Sequence, residues 1–181
     1  MAKHKTNWYY LIGIAVIVAI INKNKLALFV WDKITQVRIN SLHPAIRQQA
    51  TDFINNLYAL GIRARITQGC RSFADQDKDY AQGRNTPGNI ITNAKAGQSF
   101  HNYCLAFDIA PMDETGAADY EGADWETIGN VGKSLGLTWG GDFHSIKDRP
   151  HFENGFGNSV SDLYDKYVNQ DFDQNNYINL A

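Results

Sequence analysis

Apolar residues along this chain recur at spacings that change from one segment to the next. Ile46, Ala50, Phe53, Ile54, Leu57 and Leu60 fall at three- and four-residue steps, the spacing of one helix face. Pro44 suits a first helical turn and Gly61 a helix end, so the pattern predicts an amphipathic helix over His43–Leu60. Ile62 to Ile66 then alternates apolar with arginine, as a half-buried strand does. Ser72 followed by Asp75 has the form of a capping box and predicts a short helix through Gln82. Residues 83–98 are rich in Gly, Asn and Thr and include Pro87, which reads as a long loop. A loop of that length inside a compact domain is more often functional than idle.

Downstream, Cys104 to Ala110 is a strand candidate with Asp108 inside it. Trp125, Ile128, Val131 and Leu135 predict another amphipathic helix, stopped at Gly136. Leu137 to Trp139 and the segment around His151-Phe152 are short strand candidates, and Val160 to Val168 a last helix. Helices and short strands mix without regular βαβ alternation. The expected class is therefore α+β, with a small, largely antiparallel sheet flanked by helices. Residues 32–41 read as a connector, 42–170 as one domain and 171–181 as a polar tail.

The N-terminal segment is of another kind. A short cationic lead is followed by an uncharged run from Trp8 to Ile21. As a helix that run spans about 21 Å, short of the roughly 30 Å hydrocarbon core. Flanking lysines can snorkel, so residues 1–31 suit an uncleaved anchor or a signal segment. Either reading places the remaining chain in the cell envelope, outside the cytoplasm, and the anchor reading makes the membrane a partner.

Composition narrows the picture. At 181 residues, 44% apolar and 20% charged, the chain suits one folded domain rather than a disordered one. A formal net charge of -2 gives no broad electrostatic attraction to nucleic acid, and none is expected as a partner. A monomer is expected. Two cysteines, Cys70 and Cys104, are too few for a disulfide framework. They suit either one bridge in an oxidising compartment or two small buried residues.

Chemistry-bearing residues gather in three stretches, Ser99 to Asp108, Trp139 to His144 and Asp148 to Glu153. Catalytic zinc takes three protein ligands from His nitrogen and carboxylate oxygen and keeps one position open. His101, Asp108 and His151 supply such a set. Asp148, three residues before His151, suits a general base. Pro150 keeps Arg149 out of helical geometry, so this stretch is extended or turned. On residue types alone a hydrogen-bonded His–Asp pair suits the same residues as well as a metal site does.

Ser99-Phe-His101, Ala106-Phe-Asp108 and Asp148-Arg-Pro-His151-Phe-Glu153 together resemble the M15 zinc peptidases, which include D-alanyl-D-alanine carboxypeptidases and L-alanyl-D-glutamate endopeptidases. The stretch from Leu42 to Glu153 is similar to the endopeptidase branch, notably at Thr67 to Ser72, Gln76, Tyr80 to Arg84, Thr92 to Lys95 and Gly97 to His101. The resemblance implies a hedgehog/DD-peptidase-like fold and zinc held by His101, Asp108 and His151. It implies Asp148 as catalytic carboxylate and Arg71 facing the substrate or its oxyanion. Ser99 and Trp139 would line the substrate cleft, with Glu153 in support. The implied activity is hydrolysis of peptidoglycan stem peptides, at L-Ala–D-Glu. A D-Ala-D-Ala carboxypeptidase and a catalytically silent, zinc-containing wall-binding module are the alternatives.

Two positions depart from the family pattern. Glycine is usual where Cys104 stands, and an aromatic residue is common where Cys70 stands. Both flank the implied site, and the expectation is that they bridge, which requires Cα atoms within about 7 Å.

Overall fold

Four strands form one antiparallel sheet in the order β1-β2-β4-β3, with β1 Arg63–Gln68, β2 Ala106–Met112, β3 Thr138–Trp139 and β4 His151–Glu153. This computed structural model describes residues 33–144 and 146–180. The segment 1–31, expected to serve as anchor or signal, lies outside the described residues. Among the described residues no helix is long and apolar enough to cross a membrane.

Side chains alternate between the two faces of a strand, and that alternation sorts core from cleft. Phe107 pairs with Phe152, and both are fully buried on the core face. Their neighbours Asp108 and His151 pair on the opposite face. Helices α2 (Pro44–Ala59) and α4 (Trp125–Ser134) cover the core face, burying Phe53, Leu57 and Ile128 against Ile66, Phe107 and Phe152. Gly132 permits the approach of α4, because a Cβ there would lie 2.5 Å from the Phe152 ring. Helix α3 (Phe73–Ala81) starts at Ser72, whose hydroxyl accepts from the Asp75 N–H. Helix α5 (Val160–Val168) closes a second, smaller cluster of Tyr103, Leu105, Leu163 and Ile178.

Two expectations need correction. Residues 33–41, read as connector, are helical (α1) and bury Thr35 and Ile39. The Thr35 hydroxyl accepts from the Ile66 N–H, and the Arg38 guanidinium donates to the Ile66 carbonyl. Helix α1 thus covers the open edge of β1, which would otherwise present unpaired backbone groups. The tail is likewise part of the packed unit. Ile178 is buried, its carbonyl lies 3.0 Å from His43 Nε2, and Arg47 donates to the Tyr177 hydroxyl at 2.6 Å. In both segments a few inward residues among many polar ones suffice to dock the chain.

Candidate metal centre and cleft

Three elements bring the site together. Strand β2 carries Asp108 and β4 carries His151, opposite each other in register. His101 comes from a 3-10 turn over Phe100–Tyr103, capped by the Ser99 hydroxyl, which accepts from the His101 N–H at 3.3 Å. An irregularity in β1 between Ile66 and Gln68 brings Gln68 opposite Asp108. Bulges of this kind commonly re-aim side chains beside a site.

The donor atoms converge. His101 Nε2 lies 3.2 Å from Asp108 Oδ1 and 3.2 Å from His151 Nδ1, and His151 Nδ1 lies 3.1 Å from Asp108 Oδ1. A tetrahedral zinc with bonds of about 2.0–2.1 Å spaces its ligand atoms about 3.3–3.4 Å apart. The triangle of donor atoms fits that requirement within a few tenths of an ångström. The outer nitrogens are also committed. His101 Nδ1 lies 2.7 Å from the Gly69 carbonyl, and His151 Nε2 lies 2.8 Å from Glu153 Oε2. Each outer N–H therefore donates to an oxygen, which turns the inner nitrogen of each ring toward the point where the three donor atoms meet. Both histidines are buried.

The electrostatics call for a cation at this point. Burial alone would raise the Asp108 carboxyl, but the charge and hydrogen bonds of His101 and His151 outweigh it and hold the group well below the usual carboxylate range. Burial alone would lower the His151 imidazole, yet its hydrogen bonds to Asp108 and Glu153 and their charges push it up to about 10. Two carboxylates around two buried imidazoles concentrate negative potential where the three donor atoms meet.

A cleft of about 580 Å³ opens over this cluster. Asp148, Arg71, Ser99, Glu153, Ile91 and Phe143 line it with the three donors. Asp148 is exposed as a residue, but desolvation in the cleft raises its carboxyl above the ordinary value against the pull of His151, and the charge of Asp108 adds to the rise. Gly140 sets its position. The Asp148 N–H donates to the Gly140 carbonyl at 3.0 Å, and a Cβ on Gly140 would lie 2.3 Å from the Asp148 carbonyl oxygen.

Arg71 is largely buried and lies in a web of acceptors. It donates to Gln68 at 2.8 Å and to Gln76 at 3.0 Å, and lies 3.3 Å from Asp79 and 3.9 Å from Asp108 Oδ2. Gln76 is fully buried and donates onward to the Ala94 carbonyl at 2.8 Å. It therefore ties Arg71 to the loop wall of the cleft. Arg84 fixes the same wall by donating to the Thr92 carbonyl at 2.9 Å and to Asn93. In the sequence Gln76 stands out through the family resemblance without a role attached, and its burial is what reveals this tie.

Trp139 is a correction. It is 3% exposed and belongs to the core rather than to the cleft wall. Its indole N–H donates to the Arg149 carbonyl at 2.8 Å, so it steadies the segment that carries Asp148 from beneath. Cys70 and Cys104 are joined by a disulfide with a Cα–Cα distance of 4.1 Å.

A three-donor centre open to a cleft that also holds a proton-accepting carboxylate is the design of a metal-dependent hydrolase. Comparison with known proteins makes that class specific. The sequence profile described as D-alanyl-D-alanine carboxypeptidase matches residues 92–154. The peptidoglycan L-alanyl-D-glutamate endopeptidase CwlK of Bacillus subtilis (strain 168) is 41% identical over 123 residues, which cover 63% of this chain and 74% of that protein. Among solved structures, the Serratia marcescens L-Ala D-Glu endopeptidase ChiX has a like fold, with a TM-score of 0.50 and 21% identity over 66% of this chain and 85% of that one. The chain belongs to the M15 family of zinc peptidases.

Proposed function

We propose that this protein is a zinc-dependent peptidoglycan peptidase that hydrolyses the L-Ala–D-Glu bond of wall stem peptides. The observation that carries the reading is the convergence of His101, Asp108 and His151 at 3.1–3.2 Å in a cleft that Asp148 and Arg71 also line. Likeness to an endopeptidase of that specificity, at 41% identity, supports the choice of bond.

His101 Nε2, Asp108 Oδ1 and His151 Nδ1 would hold the zinc. When bound, zinc supplies Lewis-acid polarisation of the scissile carbonyl and makes water acidic near neutral pH. The chain's own residues do the rest. Asp148 accepts the proton of the attacking water and returns it to the leaving amine, a task its raised proton affinity favours. Arg71 presents a fixed positive charge to the developing oxyanion or to a substrate carboxylate. Gln68 and Gln76 hold that charge in place. Ser99 and Ile91 shape the wall along which the peptide lies.

The substrate places the protein in the cell envelope. The apolar run Trp8–Ile21 supports an N-terminal anchor or export segment, and the disulfide suits an oxidising compartment.

Mass spectrometry of muropeptides digested by the full chain, with and without chelator, tests the reading. Chelator-sensitive products with a newly freed D-Glu amine support it. Release of D-alanine instead assigns a carboxypeptidase, and retention on sacculi without any product assigns a wall-binding module.

A further inference from the structure

The surroundings of His101 are built around the disulfide. Gly69 accepts from the His101 ring at 2.7 Å, and the Arg71 N–H donates to the His101 carbonyl at 2.9 Å. His101 is thus gripped on two sides by the two neighbours of Cys70. The other half of the disulfide, Cys104, ends the turn that carries His101. Its N–H donates to the same His101 carbonyl at 3.1 Å. A hydrogen bond from the Asn102 amide to the Arg71 carbonyl, at 3.2 Å, runs alongside.

Cys104 holds this place in an unfavourable conformation. Its φ is 60°, in the left-handed region. There the Cβ of an L-residue crowds the backbone, and glycine is the residue that enters at little cost. The covalent link to Cys70 keeps Cys104 there, with its Cα 4.1 Å from that of Cys70. Once the link is opened, the backbone preference of Cys104 works against the turn, and the His101 ring moves with it. The His43 N–H donates to the Cys104 carbonyl at 2.9 Å, a bond to the backbone of the turn rather than to the His101 ring.

We propose that the Cys70–Cys104 disulfide is a positioning pair for the metal ligand His101, so that the oxidised chain holds zinc tightly and the reduced chain about tenfold more weakly. The proposal rests on the reading of His101, Asp108 and His151 as zinc ligands. It makes full activity a property of the protein after it has reached an oxidising compartment.

Zinc affinity of the full chain, measured by competition with a chromophoric chelator, tests this directly. The disulfide is opened with a trialkylphosphine, which yields two thiols while water supplies the oxygen of the phosphine oxide. Expected are a loss of about tenfold on reduction of the native chain, and no response to reductant in two double variants. C70A/C104G, in which glycine enters the left-handed position freely, should bind zinc as the oxidised chain does. C70A/C104A should bind as weakly as the reduced chain. Equal affinity in both redox states, a gain on reduction, or equal affinity of the two double variants would overturn the proposal. A loss of thermal stability common to both variants, with only C70A/C104A losing zinc, separates positioning from simple bracing. If zinc affinity follows the redox state yet no stem peptide is cut, the functional reading fails and the positioning role stands. If peptides are cut with unchanged zinc affinity in both states, the reverse holds.

Discussion

The outer nitrogen of His151 donates to Glu153 Oε2 at 2.8 Å, from a residue two positions along the same strand and on the same face. This turns the inner nitrogen toward Asp108 and fixes the tautomer a metal requires. Glu153→Ala is expected to lower zinc affinity by about 10–100-fold while the sheet persists, because Phe152 holds the strand from its other face. Glu153→Gln, which keeps an acceptor oxygen, should lose less. Chelator competition on both variants decides the point, and unchanged affinity in Glu153→Ala would remove Glu153 from the metal's support.

Zinc uptake should depend on pH with a definite sign. In the chain alone the His151 imidazole is pushed up to about 10, so at neutral pH a proton occupies the ring that zinc needs. Each zinc bound then displaces that proton, and apparent affinity rises with pH by up to about tenfold per unit. The rise levels off as the pH passes the imidazole's own value. Isothermal titration in buffers of different ionisation enthalpy would count the proton released, and a count of zero would contradict the picture.

Asp148 should separate chemistry from metal binding. Asp148→Asn is expected to keep zinc while turnover falls by about 10²–10⁴-fold. Because desolvation raises the native carboxyl, the acid limb of kcat/KM should lie above the ordinary aspartate value. Activity is present above that limb and lost as the pH falls through it. Muropeptide hydrolysis across the acid range is the measurement, and undiminished hydrolysis by Asp148→Asn would exclude it as the base.

Gly140→Ala probes the close contact behind Asp148. An added Cβ would lie 2.3 Å from the Asp148 carbonyl and 3.0 Å from the His151 Cβ, so the segment must move. A misplacement near 1 Å costs about 100-fold in rate. The fall should appear mainly in kcat, with the circular dichroism of the fold preserved. A variant with native kcat would show that the 148–151 segment tolerates the shift.

Much of this architecture was legible from side-chain spacing. The capping role of Ser72 and the span of α5 follow from local residue choice, since caps and amphipathic faces are short-range properties. Helix α1 escaped notice because Thr35, Ile39 and Leu42 are spaced among lysine, glutamine, arginine and asparagine, and its reason to form is the distant edge of β1. Trp139 was ambiguous for a related cause. A tryptophan near catalytic residues suits a cleft as well as a core, and only packing against Gly129 and Phe152 places it in the core. His101, Asp108 and His151 stood out by type, but the outer partners of the two rings, the Gly69 carbonyl above all, carry no side-chain signature.

The pairing of Asp108 with His151 sits one step from that of Phe107 with Phe152. A slip of the strands by one residue would put a phenylalanine where a ligand belongs and drive a carboxylate into the core. The aromatic pair therefore acts as a proofreader for the candidate metal centre. Fidelity in bringing Asp108 and His151 side by side thus resides in two rings buried on the other face of the sheet.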